Sequence, residues 1–209
     1  MSELALAQVV VILDAALAAL AEHREVLRDL DAAVGDGDLG ITVDKGCAAV
    51  RAALTVTAPE NVAELLQVSG AAFAKANPST MAALVGAGLL AAAKTVGDDE
   101  VWSREVAERV GRAATERIAA RGKAELGDKT VIDALSPSLD ALHSADDGQA
   151  LAAMVAAAAA GVEATKGQAG RRGRAAWVGE RGSGHPDPGA TAYVLFLTCL
   201  QAAVSSAPD

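Results

Sequence analysis

From Leu4 to Val204 the chain is a succession of alanine- and leucine-rich apolar runs, and none alternates apolar with polar residues long enough to make a half-buried strand. Ala and Leu are among the strongest helix formers, and with 2% aromatic residues the interior must fill by close approach of helices rather than by large rings. Breakers and caps divide the runs into eight helical segments. The first spans roughly Leu4 to Asp29 and the second follows Gly40 to about Leu54. Ala58-Pro59-Glu60-Asn61 opens the third, to about Ala76, and Asn77-Pro78-Ser79-Thr80 stops it and caps the fourth, which runs to about Val96. Gly97-Asp98-Asp99 is read as the cap of the fifth, ending near Arg121-Gly122, and Asp128 as the cap of the sixth, closing before His143. Asp146-Asp147-Gly148 leads to the seventh, reaching Thr165, and the eighth starts at Pro188-Gly189 and runs to Val204. No linker or repeat divides residues 1–209, so the expected fold is one all-α domain of antiparallel helices with short connections. Ala150 to Ala160 and Tyr193 to Val204 are apolar nearly all round, which predicts central positions for both.

A net charge of −9 gives no support to nucleic-acid binding. Cys47 and Cys199 lie far apart in apolar surroundings and are read as reduced, buried thiols. The apolar N-terminus lacks a basic leader and carries Asp14 mid-span, which favours a buried helix over a membrane segment and a cytoplasmic location.

Two connections are unlike ordinary turns. In the first, Asp29, Asp31, Asp36 and Asp38 place four carboxylates within ten residues, interleaved with Gly35, Gly37 and Gly40. Such a concentration of negative charge calls for a cation, and all-oxygen donors without His or Cys suit Mg²⁺ or Ca²⁺. The EF-hand spacing fails for want of a Glu at its twelfth position, whereas three Asp residues suffice for Mg²⁺ that also ligates a polyphosphate. The competing reading is a Gly/Asp turn with Asp38 capping the next helix; Asp29 is read as a surface residue. The second connection, Lys166 to Asp187, gathers Lys166, Arg171, Arg172, Arg174 and Arg181 and ends at a helix start, which suits phosphate oxygens as well as a solvated loop. His185 is read as a rim residue, and Gly127-Asp128-Lys129-Thr130 as a structural turn. A P-loop and a Rossmann fingerprint are absent.

Three ordered motifs make the chain resemble the nucleotide-binding subunit of dihydroxyacetone kinase, DhaL, and the matching domain of single-chain dihydroxyacetone kinases. They are Leu30-Asp-Ala-Ala-Val-Gly-Asp-Gly-Asp38 with Gly40, Arg121-Gly-Lys-Ala-Glu with Gly127-Asp-Lys-Thr130, and Gly173-Arg-Ala with Gly179-Glu-Arg181 running on into Gly184-His185 and Asp187-Pro-Gly-Ala190. The resemblance implies an eight-helix barrel with the nucleotide, ATP or ADP, at one end. It further implies two Mg²⁺ ions on Asp31, Asp36 and Asp38, and phosphate contacts along Leu39, Gly40, Ile41 and Thr42 and at Thr80 and Met81. Gly122 and Val131 would border the adenine, and Asp187, Pro188 and Gly189 would close the site with Arg174, the one catalytic side chain assigned to this chain. The sugar would sit on a separate K-type subunit that nothing in this sequence resembles. A homodimer is compatible with the family.

Two departures carry information. Phosphotransferase-system-linked subunits read Gly-Asp-x-Asp-His-Gly-x-Asn, where this chain has Leu39 and Thr42, so ATP as an exchanging substrate is favoured over a resident ADP recharged by a phosphotransferase-system protein. Asn77-Pro-Ser-Thr-Met-Ala82 replaces a Gly-Gly-x-Ser-Gly phosphate turn, which opens the sugar to erythrulose or another short ketose. The alternative function is a regulatory module that binds nucleotide and signals to a transcription factor or another protein.

Overall fold

The computed structural model describes residues 3–146, 148–172 and 179–207. Its helices are α1 (Leu6–Ala21), α2 (Arg24–Val34), α3 (Leu39–Val56), α4 (Val62–Ala76), α5 (Thr80–Ala92), α6 (Arg104–Gly122), α7 (Ile132–Ser144), α8 (Ala150–Lys166) and α9 (Pro188–Ser206). A 3₁₀ turn at Gly179–Gly182 precedes α9, and two-residue strands β1 (Leu4–Ala5) and β2 (Val101–Trp102) pair antiparallel, Leu4 opposite Trp102. The all-α expectation therefore holds, with a minimal ribbon that no alternation in the sequence announces.

Packing follows chain order. Helix α1 lies against α3, each helix from α3 to α8 lies against the next, and α9 contacts both α8 and α1, so eight helices close a ring. Helix α2 is the ninth among the described residues. The single helix expected from Leu4 to Asp29 is interrupted at Glu22–His23, where the chain bends by 57° and sends α2 across one end of the ring, against α3 and α9. Asp31 consequently belongs to the last turn of a helix rather than to a loop.

Small residues set the spacing of the staves. A methyl added at Gly46 would overlap the ring of Phe73 in α4, and at Gly86 it would meet Ala74 and the Gly70 carbonyl, again in α4. At Gly88 it would press on Ile118 of α6, at Gly111 on Leu139 of α7, and at Gly161 on the Asp133 carbonyl oxygen. Each sequential interface from α3 to α8 thus has a glycine at its closest approach, where backbone and side chain pack at interior density. The largest apolar cluster joins Leu17, Leu20, Leu27, Leu39, Val43, Leu65 and Phe73, with Cys47 and Cys199 both buried and unpaired by disulfide. Burial pushes the Cys47 thiol up to about 12, so it is an inert core residue.

Helix starts follow local chemistry in four places. Asn61 accepts from the Glu64 N–H at 2.9 Å, Ser79 from Ala82 at 3.1 Å, Ser103 from Val106 at 3.2 Å and Asp187 from Ala190 at 2.7 Å. Two expected caps are corrected. Ser103, not Gly97-Asp98-Asp99, starts α6, because β2 intervenes; Asp99 instead pairs with Arg109. Asp128 does not cap α7 either. Asp133, in the first turn of α7, accepts from Gly127 N–H at 2.5 Å and Thr130 N–H at 2.7 Å.

The two all-round apolar helices are not central. Both are staves of the ring, and α8 leaves Ala156 and Ala160 exposed. A ring has no centre for a helix to occupy, and alanine methyls cost little when partly wet. Helix α9 has the length and mean hydropathy, 1.3, of a membrane span, and buries Pro188, Ala190, Ala192, Leu197 and Cys199 within the ring. Asp14 finds Arg51 of α3 at 2.8 and 3.1 Å.

Gly161→Ala is expected to lower stability by about 2–4 kcal/mol, since the Asp133 carbonyl cannot yield without moving α7. Gly167→Ala, with open space around it, should melt like the parent. Thermal melts of the two variants followed by circular dichroism check the contrast.

Candidate functional site

Helices α3 to α7 follow one another round the ring and alternate in direction, so α3, α5 and α7 start at the same end, and the approach of the first turn of α9 to Val131 brings its start there too. Contacts between their first turns bear this out. Asn77, just before α5, donates its amide to the Thr42 hydroxyl in the first turn of α3 at 2.9 Å. A methyl on Gly189, in the first turn of α9, would stand 4.0 Å from Val131, which precedes α7. Helix starts carry unpaired N–H groups and partial positive charge, so this end is suited to an anion.

Into the same end project the acidic residues. One carboxylate oxygen from each of Asp31, Asp36 and Asp38 lies within 4.8 Å of the others. Asp31 Oδ2 accepts the Leu39 N–H at 3.2 Å, so the carboxylate that reaches the start of α3 comes from α2. Asp38 occupies the N-cap position of α3 without capping it, which disfavours the simple turn reading. Two glycines make the geometry feasible: a methyl on Gly35 would stand 2.6 Å from Asp31 Oδ1, and one on Gly40 would overlap the Arg24 carbonyl oxygen. Gly37 has φ +75°, left-handed backbone that glycine adopts without strain. The Asp31 carboxyl is pushed above its ordinary value by burial, and further by the charges of Asp36 and Asp38. An all-oxygen trio whose members repel one another fits a hard divalent cation.

Asp187 adds a fourth negative group. Its carboxyl is pushed up to about 6 by burial and by the charges of Asp133 and Asp31, against the Ala190 N–H and the Lys129 ammonium. Thus α9 opens with a carboxylate that feels the charge of Asp31, one member of the acidic trio.

The remaining expected residues fall at this end in different ways. Gly40 and Leu39 are buried, Leu39 within the core, so only their backbone is available to a ligand. Thr42 is 1% exposed and its hydroxyl faces Asn77, while Ile41 is exposed. Thr80 is exposed in the first turn of α5, whose cap is Ser79, and Met81 packs on the core. Gly122 ends α6 with its nearest neighbour 3.9 Å from an added methyl. Arg174 and the Gly173-to-Val178 part of the third motif lie outside the described residues. In the basic connection Lys166 meets Glu163 at 3.2 Å and Arg172 meets Asp128 at 2.9 Å, so both cations have acidic partners within the protein. Asp29 is exposed beside Arg28, and His185 is exposed, as expected.

Lys129 was legible only as part of a turn. It is 2% exposed, and its ammonium donates to the carbonyl oxygens of Lys166, Gln168 and Gly182 at 3.1, 2.7 and 2.7 Å. A partner set 37 to 53 residues away leaves no local sequence signal.

The ring of helices and its acidic end belong to a known class: residues 33–202 match the DAK2 domain, and the chain is a member of that family. Among its relatives is the PEP-dependent dihydroxyacetone kinase 1, ADP-binding subunit DhaL, of Listeria innocua, 36% identical over 185 residues, covering 88% of this chain and 90% of the relative. The L-erythrulose 1-kinase of Mycolicibacterium smegmatis is 34% identical over 197 residues, 92% of this chain but 34% of that protein. The crystal structure of the dihydroxyacetone kinase from C. freundii in complex with AMP-PNP and Mg²⁺ superposes with a TM-score of 0.75 at 27% identity, over 94% of this chain and 34% of that one. The chain therefore spans about a third of the longer kinases it resembles and nearly the whole of the DhaL subunits.

Because the folded-state pKa of Asp187 lies above the ordinary 3.8, its contribution favours folding below that value and is lost as pH rises through about 6. Asp187→Asn keeps the cap and removes the charge. The apo variant is expected to be more stable than the parent by ~1–3 kcal/mol at about pH 7.5, the gap closing below about pH 4. Urea unfolding at both pH values checks it; equal midpoints throughout would show that Asp187 carries no penalty.

Proposed function

We propose that this chain is the nucleotide-binding subunit of a short-ketose kinase, which presents Mg·ATP to a sugar held on a separate K-type subunit. The observation that carries the reading is the convergence of Asp31, Asp36 and Asp38 within 4.8 Å at the end where four helices start. The C. freundii kinase bound to AMP-PNP and Mg²⁺ and the ADP-binding name of the Listeria innocua relative support the same ligands here.

Asp31, Asp36 and Asp38 would hold two Mg²⁺ ions, which when bound neutralise charge on the transferring phosphoryl. The chain's own groups supply orientation. The first-turn N–H groups at Gly40 and Ile41 of α3 and at Thr80 and Met81 of α5 present donors for phosphate oxygens, while Thr42, whose N–H is taken by the Asp38 carbonyl at 3.0 Å, is assigned to the phosphate on sequence grounds. Val131 and Gly122 would border the adenine, and Asp187, Pro188 and Gly189 would close the site. Arg174 is assigned on sequence grounds to offset charge on the equatorial oxygens as the terminal phosphoryl passes in line to a ketose hydroxyl. The proton of that hydroxyl leaves to a group on the K-type partner, which holds the sugar, while the Asp187 carboxyl is engaged by the Ala190 N–H as the cap of α9.

ATP is proposed as the donor, because Leu39 is buried in the core and Thr42 is engaged by Asn77, where phosphotransferase-linked forms carry His and Asn. The erythrulose kinases among the relatives support a ketose other than dihydroxyacetone. Cytoplasmic placement accords with ATP use.

Two experiments test this. Asp36→Asn and Asp38→Asn should each abolish Mg²⁺-dependent ADP binding in calorimetry while the helical circular dichroism signal persists; tight binding by both would exclude the trio as the metal site. Mixing the chain with its K-type subunit, Mg·ATP and short ketoses should give sugar-dependent ADP release. Nucleotide binding without turnover with any cognate K-type subunit would replace the kinase reading with that of a nucleotide-sensing module.

A further inference from the structure

Lys129 stands out among the buried charged groups because its hydrogen-bonding acceptors are backbone carbonyls. The three oxygens come from the last residue of α8, from Gln168 two residues on, and from Gly182 in the turn before α9. Three acceptors at 2.7–3.1 Å around one nitrogen match the three protons of an ammonium; a planar guanidinium would not fit them. Lys129 also holds φ +61°, left-handed backbone uncommon for a residue with a side chain. The ammonium sits where burial opposes its charge and the nearby Asp187 carboxylate favours it.

The surrounding bonds join the same two segments. Gly184 N–H donates to the Lys166 carbonyl at 2.9 Å and the Ser183 hydroxyl to the Gly167 carbonyl at 2.7 Å. Asp128, the preceding residue, takes Arg172 Nε at 2.9 Å and receives the Arg171 N–H on its own carbonyl at 3.1 Å. The α6–α7 connection is thus a hub that ties the exit of α8 to the approach of α9.

We propose that Lys129 is a positioning residue for nucleotide binding: its ammonium is a tethered monovalent cation that gathers the carbonyls of Lys166, Gln168 and Gly182 and so fixes the start of α9, with Asp187-Pro188-Gly189, against the acidic trio. Carbonyl cages of this kind also accept free K⁺ or small alkylammonium ions, which gives the proposal a signature that ordinary packing lacks. It rests on the nucleotide reading for its functional half and stands apart from it for its structural half.

The test compares Lys129→Gly, which relieves the left-handed backbone and vacates the ammonium position, with Lys129→Met, which fills that position without charge. Two readouts are taken in sodium chloride and in methylammonium chloride at matched ionic strength: trypsin cleavage after Lys166, Arg171 and Arg172, and Mg·ADP affinity by calorimetry. In sodium, Lys129→Gly should be cut faster and bind Mg·ADP about 10- to 100-fold more weakly than the parent, the scale on which outer-shell partners act. Methylammonium should restore both in Lys129→Gly, leave Lys129→Met defective and not change the parent. Parent-like protection and affinity in Lys129→Met would overturn the proposal, as would defects in Lys129→Gly that methylammonium does not repair. If Lys129→Gly does not fold, Lys129→Met alone decides. Should the parent fail to bind Mg·ADP, the nucleotide reading falls while the proteolysis arm still reports on the clamp.

Discussion

Everything in this fold depends on helices approaching more closely than large side chains allow. The glycines at Gly46, Gly86, Gly88, Gly111 and Gly161 occupy successive interfaces around the ring, and Gly40 does the same for α2 on α3. With aromatic residues at 2%, dispersion between many small groups replaces the burial of rings as the main source of cohesion. Close approach has a functional corollary. It gathers the first turns of α3, α5, α7 and α9 at one end of the ring.

Two opposing fields meet at that end. Helix starts contribute partial positive charge, and Asp31, Asp36, Asp38 and Asp187 contribute negative charge at the same place. The carboxyls of Asp31 and Asp187 are raised first by burial and then by neighbouring acids, against the backbone N–H groups of Leu39 and Ala190. An anion and a divalent cation bound together relieve both imbalances, whereas either alone worsens one of them. On the proposed reading, this balance favours metal and polyphosphate binding together.

Where structure is set by neighbours in sequence, it was legible from the residues. Asn61, Ser79 and the Asp187-Pro188 pair mark helix starts because a cap needs only a side chain and the N–H three residues on. The acidic trio was legible too, since its spacing is local. What sequence could not give came from distant partners. The bend at Glu22–His23 has no Gly or Pro to announce it and reflects the packing of α2 on α3. Asp128 reads as a cap until Arg172 arrives from 44 residues away, and β2 exists only because β1 lies beside it. The family resemblance anticipated the ring, but the burial of Lys129 depends on three carbonyls from the end of α8 and from the connection that follows it.

The alternation of the staves also separates the two faces of the ring. The described N-terminal residues pair with β2 at the face opposite the acidic end, and α9, starting beside the acids, finishes on that opposite face as well. The first and last described residues, Glu3 and Ala207, therefore lie on the side away from the acidic end. Joining another domain at either end would leave the mouth of the site open, so the same ring is compatible with a life as a separate subunit or as a module within a longer polypeptide. The DhaL subunits and the roughly threefold longer erythrulose kinases among its relatives represent these two solutions.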